Sequence, residues 1–266
     1  FAETFSIHHW ETGRWPAHWV SCPEAGDPPF VTAYRLTFDM AEEQTVRIHV
    51  TADERYELFL DGERIGRGSE RGDPYNWFFE TYDLDLAAGS HRLVARVWTL
   101  GQKAPFAQMS VRPGFLLAAE GTYQDALSTG KAPWQAKKLG GYEYLSPWFA
   151  FGVGWNVKIH GADFDWDFEL GEGDKWKPVC IGEPAQCGPY DNEYSDRSHH
   201  LRPAILPAMM EAPRQTGVVR FSALINTDQT ESIQITEKDH DESIAEAWAA
   251  LLTGKDTLTI PANVRQ

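Results

Sequence analysis

Four acidic residues at period two, Asp163, Asp165, Asp167 and Glu169, are the first group able to do chemistry. On an extended strand their carboxylates project from one face, about 6.5–7 Å apart. Hydrolysis of a glycosidic bond uses two carboxyl groups, about 5–5.5 Å apart for retention and about 6.5–9.5 Å for inversion, so an acid pair fits. The same spacing opens a calcium loop, but Phe168 stands where that loop needs glycine. The plainer reading is an exposed strand face, with Phe164, Trp166 and Phe168 buried on the other side.

The run Arg71-Gly-Asp-Pro-Tyr-Asn-Trp77 is the best ligand-binding candidate. Sugars are gripped by an aromatic face laid on their C–H patches and by polar groups that pair with hydroxyls. Tyr75 or Trp77 supplies such a face, and Arg71, Asp73 and Asn76 supply the polar grip. The structural alternative is a turn begun by Asp73-Pro74, with Arg71 paired to an acid and Trp77 packed on a sheet. Arg71-Gly72-Asp73 also spells an integrin-type tripeptide, a match common by chance. His8-His9 and His199-His200 suggest metal binding, but neighbours on a strand point to opposite faces. They read as exposed or hydrogen-bonded histidines. No metal site, nucleophile elbow, P-loop or dinucleotide fingerprint is found, and no cofactor is implied.

The elements that must carry these residues are mostly strands. Val46, Ile48 and Val50 alternate with Arg47 and His49, a half-buried strand. Tyr56 to Leu60, the turn Asp61-Gly62 and Glu63 to Gly68 make a hairpin, because a type I′ turn wants positive φ at both central residues. Trp77 to Tyr82, Arg92 to Leu100 and Phe115 to Ala119 follow as strands. Short strands about ten residues apart imply a β-sandwich or jelly roll. Between 121 and 210, Trp134, Tyr142, Tyr144, Trp148, Phe149, Phe151 and Trp155 sit among Gly and Pro. They anchor a long connection, as core, sugar platform or interface. Trp176 to Cys180 and Leu201 to Met209 read as extended segments. Beyond 211, Gly217 to Leu224 and Ser232 to Thr236 read as strands. Asp241 to Leu252 reads as a helix, capped by Asp241, with Ile244, Trp248, Leu251 and Leu252 on one face and Gly254 as its stop.

The 266 residues are 42% hydrophobic, enough for one large domain or two ordinary ones. Eleven Trp, nine Tyr and fourteen Phe are a heavy aromatic load. The net charge of −15 repels nucleic-acid phosphates and anionic lipids, so neither is an expected partner, and neutral partners such as sugars remain open. No apolar run approaches the roughly 20 residues of a membrane helix. Three cysteines, Cys22, Cys180 and Cys187, leave at least one outside any internal disulfide. A Cys180–Cys187 bridge and a reduced pair both fit, so the cysteines do not fix the compartment. A first residue Phe1 suits a removed signal peptide, a tag or a boundary chosen for expression.

An ordered set of motifs resembles a known family. It comprises Tyr56-Glu-Leu-Phe-Leu-Asp-Gly-Glu-Arg-Ile-Gly-Arg-Gly68, Arg71-Gly-Asp-Pro74, Trp77 to Leu84, and Leu93-Val-Ala-Arg-Val-Trp98. Trp15-Pro-Ala-His-Trp19, Asp165-Trp-Asp-Phe168 with Trp176, Arg202-Pro-Ala-Ile-Leu-Pro207 with Met209-Met-Glu211, and Trp248 with Leu258 to Asn263 extend it. Together they resemble the N-terminal β-sandwich region of bacterial alpha-L-rhamnosidase-like glycoside hydrolases. In that family the catalytic acids sit on an (α/α)6 barrel downstream of such sandwiches. One clear helix cannot make that barrel, so no catalytic residue carries over, and an N-terminal fragment is expected. The resemblance implies an all-β fold: a jelly-roll (galactose-binding-like) β-sandwich over 1–210, then a partial second β domain with one short helix over 211–266. It implies a non-catalytic module that supports the downstream catalytic domain and contacts carbohydrate, including rhamnose-containing glycan. A free-standing lectin-like protein is the alternative, and a small hydrolase using Asp163 to Glu169 a third. The compartment stays open, with a periplasmic or secreted location preferred.

Overall fold

Asp61 and Gly62 take φ values of 51° and 88°, the positive values that their residue types tolerate. The turn joins β4 (Arg55–Leu60) to β5 (Glu63–Gly68), paired antiparallel with one bulge between Leu58 and Phe59. A computed structural model describes residues 14–146, 154–187, 199–207, 217–226, 236–261 and 264–265. The chain divides into two compact units, Phe1–Leu206 and Pro207–Gln266.

The first unit is built from two six-stranded sheets. In one, β12 (Lys177–Pro178), β9 (Gln135–Lys138), β2 (Phe30–Met40), β7 (Gly89–Thr99), β4 and β5 lie in that order. In the other, β1 (Arg14–Ser21), β13 (Cys180–Cys187), β14 (His200–Pro203), β6 (Trp77–Leu86), β3 (Gln44–Ala52) and β8 (Phe115–Ala119) follow one another. This second sheet closes on itself where Val20 of β1 pairs with Phe115 of β8. Most pairings are antiparallel; β14 is held parallel to β13 on one side and to β6 on the other.

The period-two pattern divides the apolar residues among three clusters. Tyr34, Leu36, Ile48, Val50, Leu58, Leu93 and Leu117 form a core shared by strands of both sheets. Trp15, Trp19, Trp77, Phe79, Leu116 and Leu201 fill the inside of the closed sheet. Val31, Phe59, Val94 and Phe168 lie on the outer face of the open sheet, with Tyr142 and Tyr144 of β10 (Tyr142–Leu145) packed on them. β10 pairs with β11 (Asn156–Ile159).

Several expectations are corrected. His49, expected on an open face, is buried at 1% exposure because the closed sheet gives β3 a second interior. Its ring bonds to Thr81 and Glu120, at 2.9 and 2.8 Å. Residues 163–169 are not a strand. Asp167 has φ 59° and Phe168–Leu170 is a 3₁₀ turn, so Phe168 is buried while Trp166 is 68% exposed. Cys180 is free. It and Cys187 occupy opposite ends of the single strand β13, roughly 23 Å apart at strand rise, far beyond disulfide reach. At the expected extended segment 201–209, the strand is His200–Pro203, and residues 208–209 lie outside the described residues. Trp134 is core, Tyr142, Tyr144 and Trp155 are half-buried, and Trp148, Phe149, Phe151 and His8-His9 lie outside the described residues.

In the second unit, α2 (Glu242–Leu252; α1 is the single turn Gln124–Leu127) is capped as expected, the Asp241 side chain accepting from Ser243 N and Ile244 N. Ile244 is buried, whereas Leu251 and Leu252 are exposed. Gly217 to Leu224 is not a strand; among the described residues of this unit only Ile225–Asn226 pairs, with β16 (Val264–Arg265), as β15. Most of 232–236 lies outside the described residues.

Candidate functional site

Strand register brings four segments to one end of the first unit. Ala52 pairs with Phe115, Tyr56 with Gly68, Arg55 with Trp98, and Trp77 with Leu201. The bend 53–54, the loops 69–76 and 100–114, and the start of β14 therefore meet there, at the ends of rigid strands where binding residues usually sit.

Asp53 holds this end together. Its buried carboxylate accepts from Ser110 Oγ at 2.6 Å, from the N–H groups of Val111 and Arg112 at 2.7 Å each, and from His199 Nε2 at 2.8 Å. A carboxylate only accepts, so Nε2 carries the proton. The His199 ring stacks on Trp19 at 4.0 Å and meets the Trp77 ring at 4.6 Å edge to face. Burial pushes the Asp53 pKa up, but the bonds from His199, Ser110 and Val111 outweigh it and hold it below the ordinary 3.8. The next residue behaves oppositely. Glu54, at φ 84° and 2% exposure, accepts Leu100 N and Gly101 N on Oε1, at 2.8 and 2.9 Å. Burial leads there and raises its pKa above 4.5. Two adjacent carboxylates thus pin both ends of the 100–114 loop.

The expected binding loop lies beside them. Asp73 Oδ1 accepts the N–H groups of Tyr75 and Asn76, at 2.8 and 3.0 Å, and both its oxygens meet Asn76 Nδ2 at 3.1 Å. Asp73 and Asn76 are thereby spent on closing the turn. Gly72 is required there, since a Cβ would fall 1.8 Å from Asn76 O. Trp77 is not on the surface: it is 4% exposed, with Nε1 donating to Ala52 O at 3.3 Å. Tyr75 and Arg71 are the exposed members, and the Tyr75 ring stacks on His200, centroids 6.0 Å apart. Of the five expected residues, two face outward, two shape the turn and one is core. The Asp53–His199 pair escaped the sequence reading because 146 residues separate the partners and no local spacing marks them.

The acidic run makes no row of carboxylates. Asp165 accepts from Lys137 Nζ at 2.9 Å and Gly140 N at 2.7 Å. Burial raises its pKa, but these bonds outweigh it and leave it below 3.8. Among the described residues, no three His, Cys, Asp or Glu side chains converge as metal ligands.

A GH78 family rhamnosidase of Bacillus sp. GL1 superposes on this fold with a TM-score of 0.64 and 25% identity, over 80% of this chain and 22% of that one. This chain is similar to part of a GH78 rhamnosidase. The alpha-L-rhamnosidase from Dictyoglumus thermophilum matches over 80% of this chain and 24% of its own, at 16% identity and TM-score 0.52. That from Aspergillus terreus matches over 79% and 24%, at 12% identity and TM-score 0.50. The rhamnosidase-like chain thus spans about a quarter of the length of these proteins or less, consistent with an N-terminal region of such an enzyme. No family profile and no curated protein matches its sequence.

Proposed function

We propose that this chain is a non-catalytic module of an alpha-L-rhamnosidase-like glycoside hydrolase, a jelly-roll sandwich of the galactose-binding-like type that supports the catalytic domain and contacts carbohydrate. In this reading 1–210 is the sandwich, and 211–266 begins a second β domain. The observation that carries it is the match to the Bacillus rhamnosidase, which takes in four fifths of this chain but about a fifth of that enzyme. The carboxylates support it too: Asp53, Glu54, Asp73 and Asp165 each hold backbone or a neighbouring side chain in place.

The test is calorimetric titration of the 266-residue chain with L-rhamnose and rhamnose-containing oligosaccharides, beside an assay on an aryl alpha-L-rhamnoside. Saturable binding at roughly micromolar to millimolar strength without turnover is expected. Turnover by this chain alone, lost on Asp165→Asn, overturns the non-catalytic reading; failure to bind any glycan overturns the carbohydrate reading.

A further inference from the structure

Trp166 is the most exposed tryptophan among the described residues, at 68%. Tryptophan is highly buried on average in folded proteins, since its large ring is favourably removed from water. Its exposure does not come from a loose loop. The indole Nε1 donates to Gly161 O at 2.8 Å, and the Trp166 N–H to Phe164 O at 2.9 Å. The ring meets Phe164 edge to face at 4.9 Å, and Phe164 packs on Tyr142 at 5.5 Å. The turn itself is fixed by Asp165 on Lys137 and Gly140, by Asp163 N on His160 O at 3.0 Å and by His160 N on Gly141 O at 2.8 Å. The one polar atom of the indole is used internally, so the ring offers the solvent a π face held in one orientation.

We propose that Trp166 is a preformed stacking platform for a neutral pyranose, with the exposed carboxylates of Asp163 and Asp167, its neighbours in the chain, as acceptors for sugar hydroxyls. The inference rests on the carbohydrate reading above and places the contact away from the 71–77 loop. Three observations favour a sugar over a protein partner. The ring is flanked in the chain by Asp163 and Asp167, both exposed, whereas charged residues are depleted at the centre of protein interfaces. The chain carries a net charge of −15, which disfavours anionic ligands. A held aromatic face with exposed carboxylates nearby in the chain suits a ligand that pairs a C–H patch with hydroxyl donors.

The experiment titrates the whole chain and its Trp166→Ala, Trp166→Tyr, Tyr75→Ala and Asp163→Asn variants with methyl alpha-L-rhamnoside and a panel of neutral methyl glycosides. Calorimetry reads affinity, and a thermal melt monitors folding. Trp166→Ala is expected to weaken binding roughly tenfold with an unchanged melt, Asp163→Asn to weaken it less, and Trp166→Tyr to restore most of it. Tyr75→Ala is expected to bind like the parent chain. Unchanged affinity in both Trp166 variants overturns the platform, as does loss confined to Tyr75→Ala, and either result leaves the carbohydrate reading standing. If the parent chain binds none of the glycosides, the platform and the carbohydrate reading fall together.

Discussion

Asp53 and His199 meet through a 2.8 Å hydrogen bond, and neither side chain reaches solvent. The contact joins the bend after β3 to the residue just before β14. Replacing Asp53 by Ala strands the Ser110 hydroxyl, two backbone N–H groups and an imidazole N–H in a buried place. Such a loss is expected to cost about 3–5 kcal/mol, read as a shift in the urea midpoint.

The same carboxylate predicts an acid limb. Its folded pKa lies below the unfolded 3.8, so its contribution is complete above that value and disappears as pH falls through the folded pKa. Glu54 has the reverse sign. Its folded pKa lies above 4.5, so its contribution is complete below 4.5 and is lost as pH rises through the folded value. Urea titrations of the parent chain and Glu54→Gln from pH 4.5 upward should therefore differ in slope, with the variant flatter. Parallel curves would refute the Glu54 assignment.

Tyr75 and Trp77 lie two residues apart and should respond very differently. Trp77→Ala empties a site inside the closed sheet and should cost about 3–5 kcal/mol. Tyr75→Ala removes a ring that is 42% exposed and should cost no more than about 1 kcal/mol. Chemical denaturation of the two variants checks this, and it determines which of them can report on ligand binding without disturbing the fold.

Gly72→Ala tests the turn. A Cβ at 1.8 Å from Asn76 O cannot be accommodated, so the Asp73–Asn76 bonds must open. A loss of about 1–3 kcal/mol is expected, with faster amide exchange at Tyr75 and Asn76. Exchange unchanged from the parent would contradict the close approach.

How much of this was legible depended on whether the deciding partner was local. The Asp61-Gly62 turn and the Asp241 cap could be read from sequence because the residue itself carries the conformational preference. The strand around Val46, Ile48 and Val50 is legible because its apolar residues alternate with polar ones. Alternation alone misplaces His49, because it gives a strand two faces but does not say what covers the second. The run 163–169 misled for a related reason. Its period of two is real, but Lys137 and Gly140 capture Asp165, and Gly141 lies so close to Phe164 that a Cβ would come within 2.7 Å. Those neighbours bend the segment into turns and expose Trp166. Trp77 was ambiguous on the same ground, since its burial depends on β14, more than 120 residues downstream.

The place of β14 bears on the order of assembly. It is the last strand of the first unit in sequence, yet it sits between β13 and β6. Until residue 203 has left the ribosome, β6 and β13 each keep a row of unpaired backbone groups, and β1 can find β13 only across more than 150 residues. Such late, long-range closure slows folding, and the waiting edges can pair with other chains. Nascent chains ending before β14 should therefore need a chaperone far more than those a few residues longer.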